Sequence, residues 1–142
     1  MIPLFTLFFL MAAPPPSSLD QVKAEANAER RARAAIDYAA VAEKNAEMAF
    51  GKGDMASVAA ELKNIEDSFE TAKDSFAASG KTPGRNPGPF KYAELHSREL
   101  LIRLGDLEQR MDASDRGLVE RVKATIQQIH DAWFEGIMGK KK

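Results

Sequence analysis

The spacing of apolar residues is the feature that most limits what this chain can fold into. From residue 18 to residue 139, apolar residues recur at alternating intervals of three and four in every long segment. That alternation places apolar side chains on one face of an α-helix, whereas a half-buried strand would show a period of two. No segment keeps a period of two over the length of a strand. The sequence therefore predicts an all-α fold.

Alanine forms the apolar stripe of the first predicted helix, which covers residues 18–50. Ser18 followed by Gln21 is typical of a capping box at a helix start. Small side chains in a regular row allow the axis of a second helix to approach closely. The row consists of Ala28, Ala32, Ala35, Ala39, Ala42, Ala46 and Ala49.

Larger apolar side chains form the stripes of three further predicted helices, and such side chains pack well against a row of alanines. The second stripe contains Met55, Val58, Leu62, Ile65, Phe69, Ala72 and Phe76. The third, in a helix that begins at Pro89, contains Ala93, Ser97, Leu100, Leu104, Leu107 and Met111, widened by Leu101 and Ile102. The fourth contains Val119, Val122, Ile126, Ile129 and Trp133, and then Ile137.

Glycine, proline and aspartate mark the breaks between these helices. Residues 51–54 supply a left-handed stop and an N-cap, residues 80–89 form a loop rich in proline and glycine, and residues 112–115 offer a short capped break. Short, medium and short connections between heptad-like helices predict an antiparallel up-down-up-down four-helix bundle over residues 19–139. Residues 140–142 form a basic tail after it.

Residues 1–18 are predicted to be a signal peptide and linker. The twelve residues 2–13 carry no charge and are almost wholly apolar. As a helix they would rise about 18 Å, which is short of the hydrocarbon layer of a bilayer at about 30 Å. Small residues and a Pro/Ser linker follow, as in the cleavage region of a secretory signal. We therefore expect a periplasmic or secreted protein, with an uncleaved short anchor as the alternative.

Composition excludes several classes of function. The chain has no cysteine, which excludes disulfides, thiolate metal sites and covalently attached c-type haem. A net charge of −1 gives no reason to expect a nucleic acid as partner. The sequence has no pair of Glu-x-x-His motifs, as di-iron bundles have, and no nucleophile elbow. We expect a protein that is not an enzyme and that holds no cofactor.

The two histidines form the one candidate metal site. If the third and fourth helices are antiparallel about a turn near Ala113, His96 and His130 lie at the same height on adjacent helices. Glu99 lies one turn from His96, so two imidazoles and a carboxylate could ligate a transition metal, and the imidazoles alone could ligate haem. The alternative is that both histidines are ordinary residues at the boundary of the apolar stripes.

A basic pole is the third candidate feature. In the predicted bundle, the loop at residues 80–89 and the C-terminus lie at the same end, and neither carries an acid. Such a pole could dock on an anionic membrane surface, whereas the alternative is a solvated loop and tail. Its basic residues are Lys81, Arg85, Lys91, Lys140, Lys141 and Lys142.

Together these features predict an exported helical protein with a binding or structural role in the cell envelope or outside the cell. Its partner would be an unidentified protein or a second copy of the chain. A metal- or haem-binding periplasmic bundle and a peripheral envelope protein that docks by its basic pole are the two alternatives.

Overall fold

The computed structural model describes residues 14–139, and the regular secondary structure of this part of the chain is entirely helical. The all-α prediction is therefore confirmed. Most of the predicted signal segment, residues 1–13, and the basic tail lie outside the described residues. The helices are α1 (Leu19–Ala24), α2 (Ala28–Gly51), α3 (Met55–Ser79), α4 (Pro87–Arg110) and α5 (Arg116–Met138).

The first predicted helix is interrupted near its start, so the prediction of one continuous helix over residues 18–50 is wrong. Ser18 caps α1 as expected, because its side chain accepts a hydrogen bond from the backbone N–H of Gln21 at 3.2 Å. A second cap follows at Asn27, whose Oδ1 accepts from the N–H of Arg30 at 2.9 Å and starts α2. Asparagine is among the strongest N-cap residues, and this local bond competes with continuation of the helix.

The alanine row is buried, and α2 packs more extensively against α3 than any other two helices pack. Ala28 at the start of the row is half-buried and Ala49 at its end is 8% exposed. The members between them have no exposed surface: Ala32, Ala35, Ala39, Ala42 and Ala46. Across from them, α3 buries its larger stripe, which gives the facing small and large side chains that a dense helix contact needs.

The remaining helices are placed by five further helix–helix contacts. α4 packs antiparallel on α5, as shown by the pairs Glu94–His130 and Glu108–Lys123. α3 also contacts α5, and α2 contacts α4. The short helix α1 lies on α2 and α3, where Val22 is fully buried. An open groove lies between α2 and α4 near their N-terminal ends.

The predicted stripes of α3, α4 and α5 are largely in the core. Ile102 is an exception, since it is 66% exposed and does not widen the stripe of α4. α4 begins at Pro87, two residues before the predicted start, because a proline at the first helical residue lacks an N–H that would be unpaired there in any case. None of the helices within residues 14–139 combines the length and apolarity that crossing a membrane requires.

Ala42→Leu is expected to lower the free energy of unfolding by about 1–3 kcal/mol, because three added carbon atoms do not fit a close helix contact. Ala60→Leu is the matched control, since Ala60 is an exposed residue of α3 and the two residue types differ little in helix propensity. Urea unfolding measures both. Equal midpoints for the two variants would show that the alanine row does not set the distance between α2 and α3.

Candidate functional site

An open groove of about 530 Å³ lies between the N-terminal parts of α2 and α4, a volume in the range of small-molecule sites. We call it the α2–α4 groove. Phe76 of α3 and Ala93 of α4 form its buried apolar wall, whereas Arg30 and Arg33 of α2 are exposed. Its lining residues are Asn27, Glu29, Arg30, Arg33, Phe76, Gly88, Pro89, Tyr92 and Ala93.

Tyr92 forms one side of the α2–α4 groove and connects the two helices. Its hydroxyl donates a hydrogen bond to Asp37 of α2, and the guanidinium of Arg33 lies 4.0 Å from the centre of its ring. Partial burial, and then the neighbouring Asp37 carboxylate, raise the pKa of Tyr92 above its ordinary value. The tyrosine therefore stays a neutral hydrogen-bond donor at physiological pH, and it holds Arg33 at the edge of the groove.

The two acids nearest the arginines already have other partners. Glu29 forms an ion pair with Lys81, and Asp37 accepts from Tyr92. Within residues 14–139, neither Arg30 nor Arg33 forms a salt bridge with a carboxylate. The α2–α4 groove is thus lined by two cations that an acidic side chain of the described chain does not neutralise.

Arg30 and Arg33 were not among the predicted site residues, although their position at the start of a helix is a signal in the sequence. Arg30 lies in the first turn of α2, and Arg33 follows about one turn later. The N-terminal end of a helix carries a partial positive charge, so a cation in the first turn, as at Arg30, is unfavourable by about 0.3–1 kcal/mol. A cluster of arginines at a helix start is therefore a local cost, and such costs often mark a binding site.

His96 and Glu99 lie together on the side of α4 that faces α2. The His96 Nδ1 is 3.5 Å from a Glu99 carboxylate oxygen, and its ring packs at 4.1 Å from the ring of Tyr92. Both line a second groove of about 240 Å³, which also contains Lys44 and Arg103. Two cationic side chains in the same groove oppose the binding of a metal cation there.

His130 lies in a different cluster, at the α4–α5 contact, where it is 8% exposed. Its Nε2 is 3.1 Å from Glu94 Oε1 and its Nδ1 is 3.0 Å from Asp131 Oδ1. Arg98 binds the same Glu94 at 2.8 Å. The hydrogen bond from His130, and then that from Gln127, hold the pKa of Asp131 below its ordinary value. Both imidazole nitrogens therefore already have carboxylate partners.

The predicted site residues are thus only partly brought together. The shared height of the two histidines does not make them neighbours, because residues 94 and 96 point to sides of α4 about 200° apart, and His130 contacts Glu94. Within residues 14–139, no three His, Asp or Glu side chains form a group that could hold a metal ion. The structure joins His96 to Glu99 and places His130 with Glu94 and Asp131. A metal or haem site remains a prediction.

The loop of the predicted basic pole lies against the end of α5. A Cβ atom on Gly136 would be 2.7 Å from the ring of Pro83, so the two residues are in close contact. Lys81 pairs with Glu29, which removes part of the expected positive charge, while Arg85 and Lys91 are exposed. Lys140, Lys141 and Lys142 fall in the part of the chain that is not described.

Glu43 of α2 is a buried carboxyl group in the apolar core. It has no exposed surface, and neither of its carboxylate oxygens has a hydrogen-bond partner. Burial, and then the charge of the neighbouring Glu47, raise the pKa of Glu43 to about 7, while Arg103 and Lys44 act in the opposite direction. The carboxyl group therefore gains or loses its proton near physiological pH.

Comparison of the chain with protein-family models, with curated proteins and with solved structures gives no significant match.

His130→Ala is expected to lower the free energy of unfolding by about 1–3 kcal/mol, since it leaves the buried Glu94 without one of its partners. His96→Ala, at a half-buried residue, should cost only about 0.5 kcal/mol. Urea denaturation at pH 7 measures the difference between these matched variants. An equal, small effect of both would mean that His130 is an ordinary boundary residue.

The same two variants test the metal and haem hypothesis. Zn²⁺, Ni²⁺ or haemin is added to the intact protein and the melting temperature is recorded, because a ligand that binds the folded state raises it. We expect no change. A one-to-one thermal shift that both alanine variants abolish would instead establish a site that uses His96 and His130.

Glu43→Gln is expected to stabilise the protein increasingly as the pH rises. Because the folded-state pKa is about 7 and the ordinary value is 4.5, the folded protein holds this proton more tightly, and that contribution is lost as the pH rises through 7. Between pH 5 and pH 8 the variant should gain about 2–3 kcal/mol relative to the natural protein. Chemical denaturation at both pH values measures this, with Glu120→Gln at an exposed residue of α5 as control. A difference that does not change with pH would contradict it.

Proposed function

We propose that the chain is an exported, non-enzymatic helical protein that binds a small ligand in the α2–α4 groove, in the cell envelope or outside the cell. The observation that carries this proposal is the groove itself. It combines an apolar wall, a hydroxyl group that is held in place and two exposed arginines in one open volume of about 530 Å³. Concave sites with an apolar lining and a few convergent polar groups are the usual form of small-molecule sites.

We also propose a bundle architecture and export for this chain. The four long helices would form an antiparallel up-down-up-down bundle, which is supported by the opposite directions of α4 and α5 in their paired contacts. Export is supported by the apolar segment at residues 2–13 and the small residues that follow. The short helix α1 begins at Leu19, so cleavage between residues 14 and 19 would leave the described helices intact.

Peripheral docking on an anionic membrane surface is the second candidate. It is favoured by the contact of Pro83 with Gly136, which brings the basic loop to the end of α5 from which the lysine tail continues. Each basic residue near an anionic surface contributes about 1 kcal/mol. Sedimentation with anionic vesicles tests this candidate, and binding that is unchanged after deletion of residues 140–142 would count against it.

Native mass spectrometry of the protein purified from an exporting host tests the first candidate. The mature chain is expected to begin between residues 14 and 19 and to carry additional mass from a bound small molecule. Gly88→Trp is expected to lose this ligand. Gly88 lines the groove and a Cβ atom there meets no other atom within 4 Å, so a large side chain has room at the mouth. Because Gly88 precedes Pro89, where a side chain disfavours the helical conformation, a melting curve of the variant shows whether it is folded.

Gly117→Trp is the matched control. Gly117 is the second residue of α5 as Gly88 is of α4, and a Cβ atom there also meets nothing within 4 Å. It lies outside the α2–α4 groove and should retain the ligand. A bare chain mass for all proteins, or equal occupancy in both variants, would contradict binding in the groove, and a species that retains Met1 would contradict cleavage.

A further inference from the structure

The charges around the α2–α4 groove leave one positive charge in excess. Arg30, Arg33 and Lys81 are the cations, and Glu29 and Asp37 are the anions. Each anion is engaged by a group other than an arginine of the groove, namely Lys81 and the Tyr92 hydroxyl. A guanidinium presents five N–H donors and pairs best with a carboxylate or a similar planar anion. Arg30 and Arg33 line the groove without a carboxylate partner, so an acidic group bound there would pair with them.

The opposite wall of the groove is apolar. Phe76 is 3% exposed and Ala93 is 1% exposed, and both line the groove together with the half-buried Pro89. Phe76 is fixed by a stacked contact with Phe90, at 4.2 Å between ring centres. Because Phe76 and Ala93 expose almost no surface, the half-buried Pro89 and Tyr92 supply most of the apolar surface that a ligand could cover. An inorganic ion would leave that surface in water, whereas an apolar body laid against it would be removed from water.

From this arrangement we propose that the ligand of the α2–α4 groove is an amphipathic organic monoanion. Its acidic head lies at Arg30 and Arg33, and its apolar body lies along Phe76, Pro89 and Ala93. The inference rests on the proposed binding function and adds the chemical class of the ligand. The head group offsets the unfavourable placement of arginines at the start of α2, since an anion is stabilised there.

Decanoate, 1-decanol and decyltrimethylammonium are the probes, because they share an apolar chain and differ in the charge of the head. Trp133 is the one tryptophan of the chain, and its ring lies edge-on to Phe76 at 5.5 Å, so its fluorescence reports on the groove wall. We expect saturable one-to-one binding of decanoate, binding of decanol that is about tenfold weaker or more, and no binding of the cation.

The variant Arg30→Gln/Arg33→Gln is expected to bind decanoate about tenfold more weakly or worse, with little change for decanol. Arg121→Gln is the control, because Arg121 is an exposed arginine of α5 that pairs with Glu66 far from the groove. Melting curves of each variant show whether it is folded, and calorimetry gives the stoichiometry.

The outcomes separate this inference from the proposed function. Equal binding of decanoate and decanol, or unchanged decanoate binding by the double variant, would show that the ligand need not be an anion. The groove would still be a ligand site. Decanoate binding that survives Gly88→Trp would place it outside the groove and overturn the inference. If none of the three probes binds, the inference about the ligand class is also wrong. The proposed function is then tested separately, by whether the purified protein retains a native ligand in mass spectrometry.

Discussion

The close contact of α2 with α3 is the interaction on which the rest of the structure depends. α2 presents alanines to α3, and the large side chains of α3 fill the space that those alanines leave. With that face used, the side of α2 towards α4 carries mainly polar residues. α4 meets this side through separate polar contacts, Tyr92 with Asp37 and Arg110 with Glu47. Side chains do not fill all the space between α2 and α4, and the α2–α4 groove is part of that space.

The buried carboxyl group of Glu43 destabilises the core. It lies in the core without a hydrogen-bond partner, although an apolar residue of similar size would avoid the cost of burying a carboxyl group. Its raised pKa means that this cost depends on pH. Arg103 of α4 lowers this pKa and Glu47 of α2 raises it, so ionisable groups of both helices act on Glu43.

The candidate site depends on which acids are already engaged. Glu29 and Asp37 would each be able to neutralise an arginine, but Lys81 from the loop and Tyr92 from α4 occupy them. Sequence distance does not reveal these pairings, since they join residues that are 52 and 55 apart. Sequence position also failed to predict the surroundings of the two histidines. Residues at equal height on adjacent helices need not have side chains that point towards each other.

The sequence by itself determined the helical class, the four long helices with their buried stripes, and the capping of α1 at Ser18, because these depend on local spacing and local hydrogen bonds. The cap at Asn27 also depends on a local hydrogen bond, but the prediction of one helix over residues 18–50 did not include it, so α1 was predicted as part of α2. Only the tertiary structure decided that α2 lies beside α4, that Glu43 is buried without a partner, and that Arg30 and Arg33 face an apolar wall formed by Phe76 of a third helix. These features depend on the rotation of each helix about its axis and on its choice of neighbours, which one-dimensional periodicity does not specify.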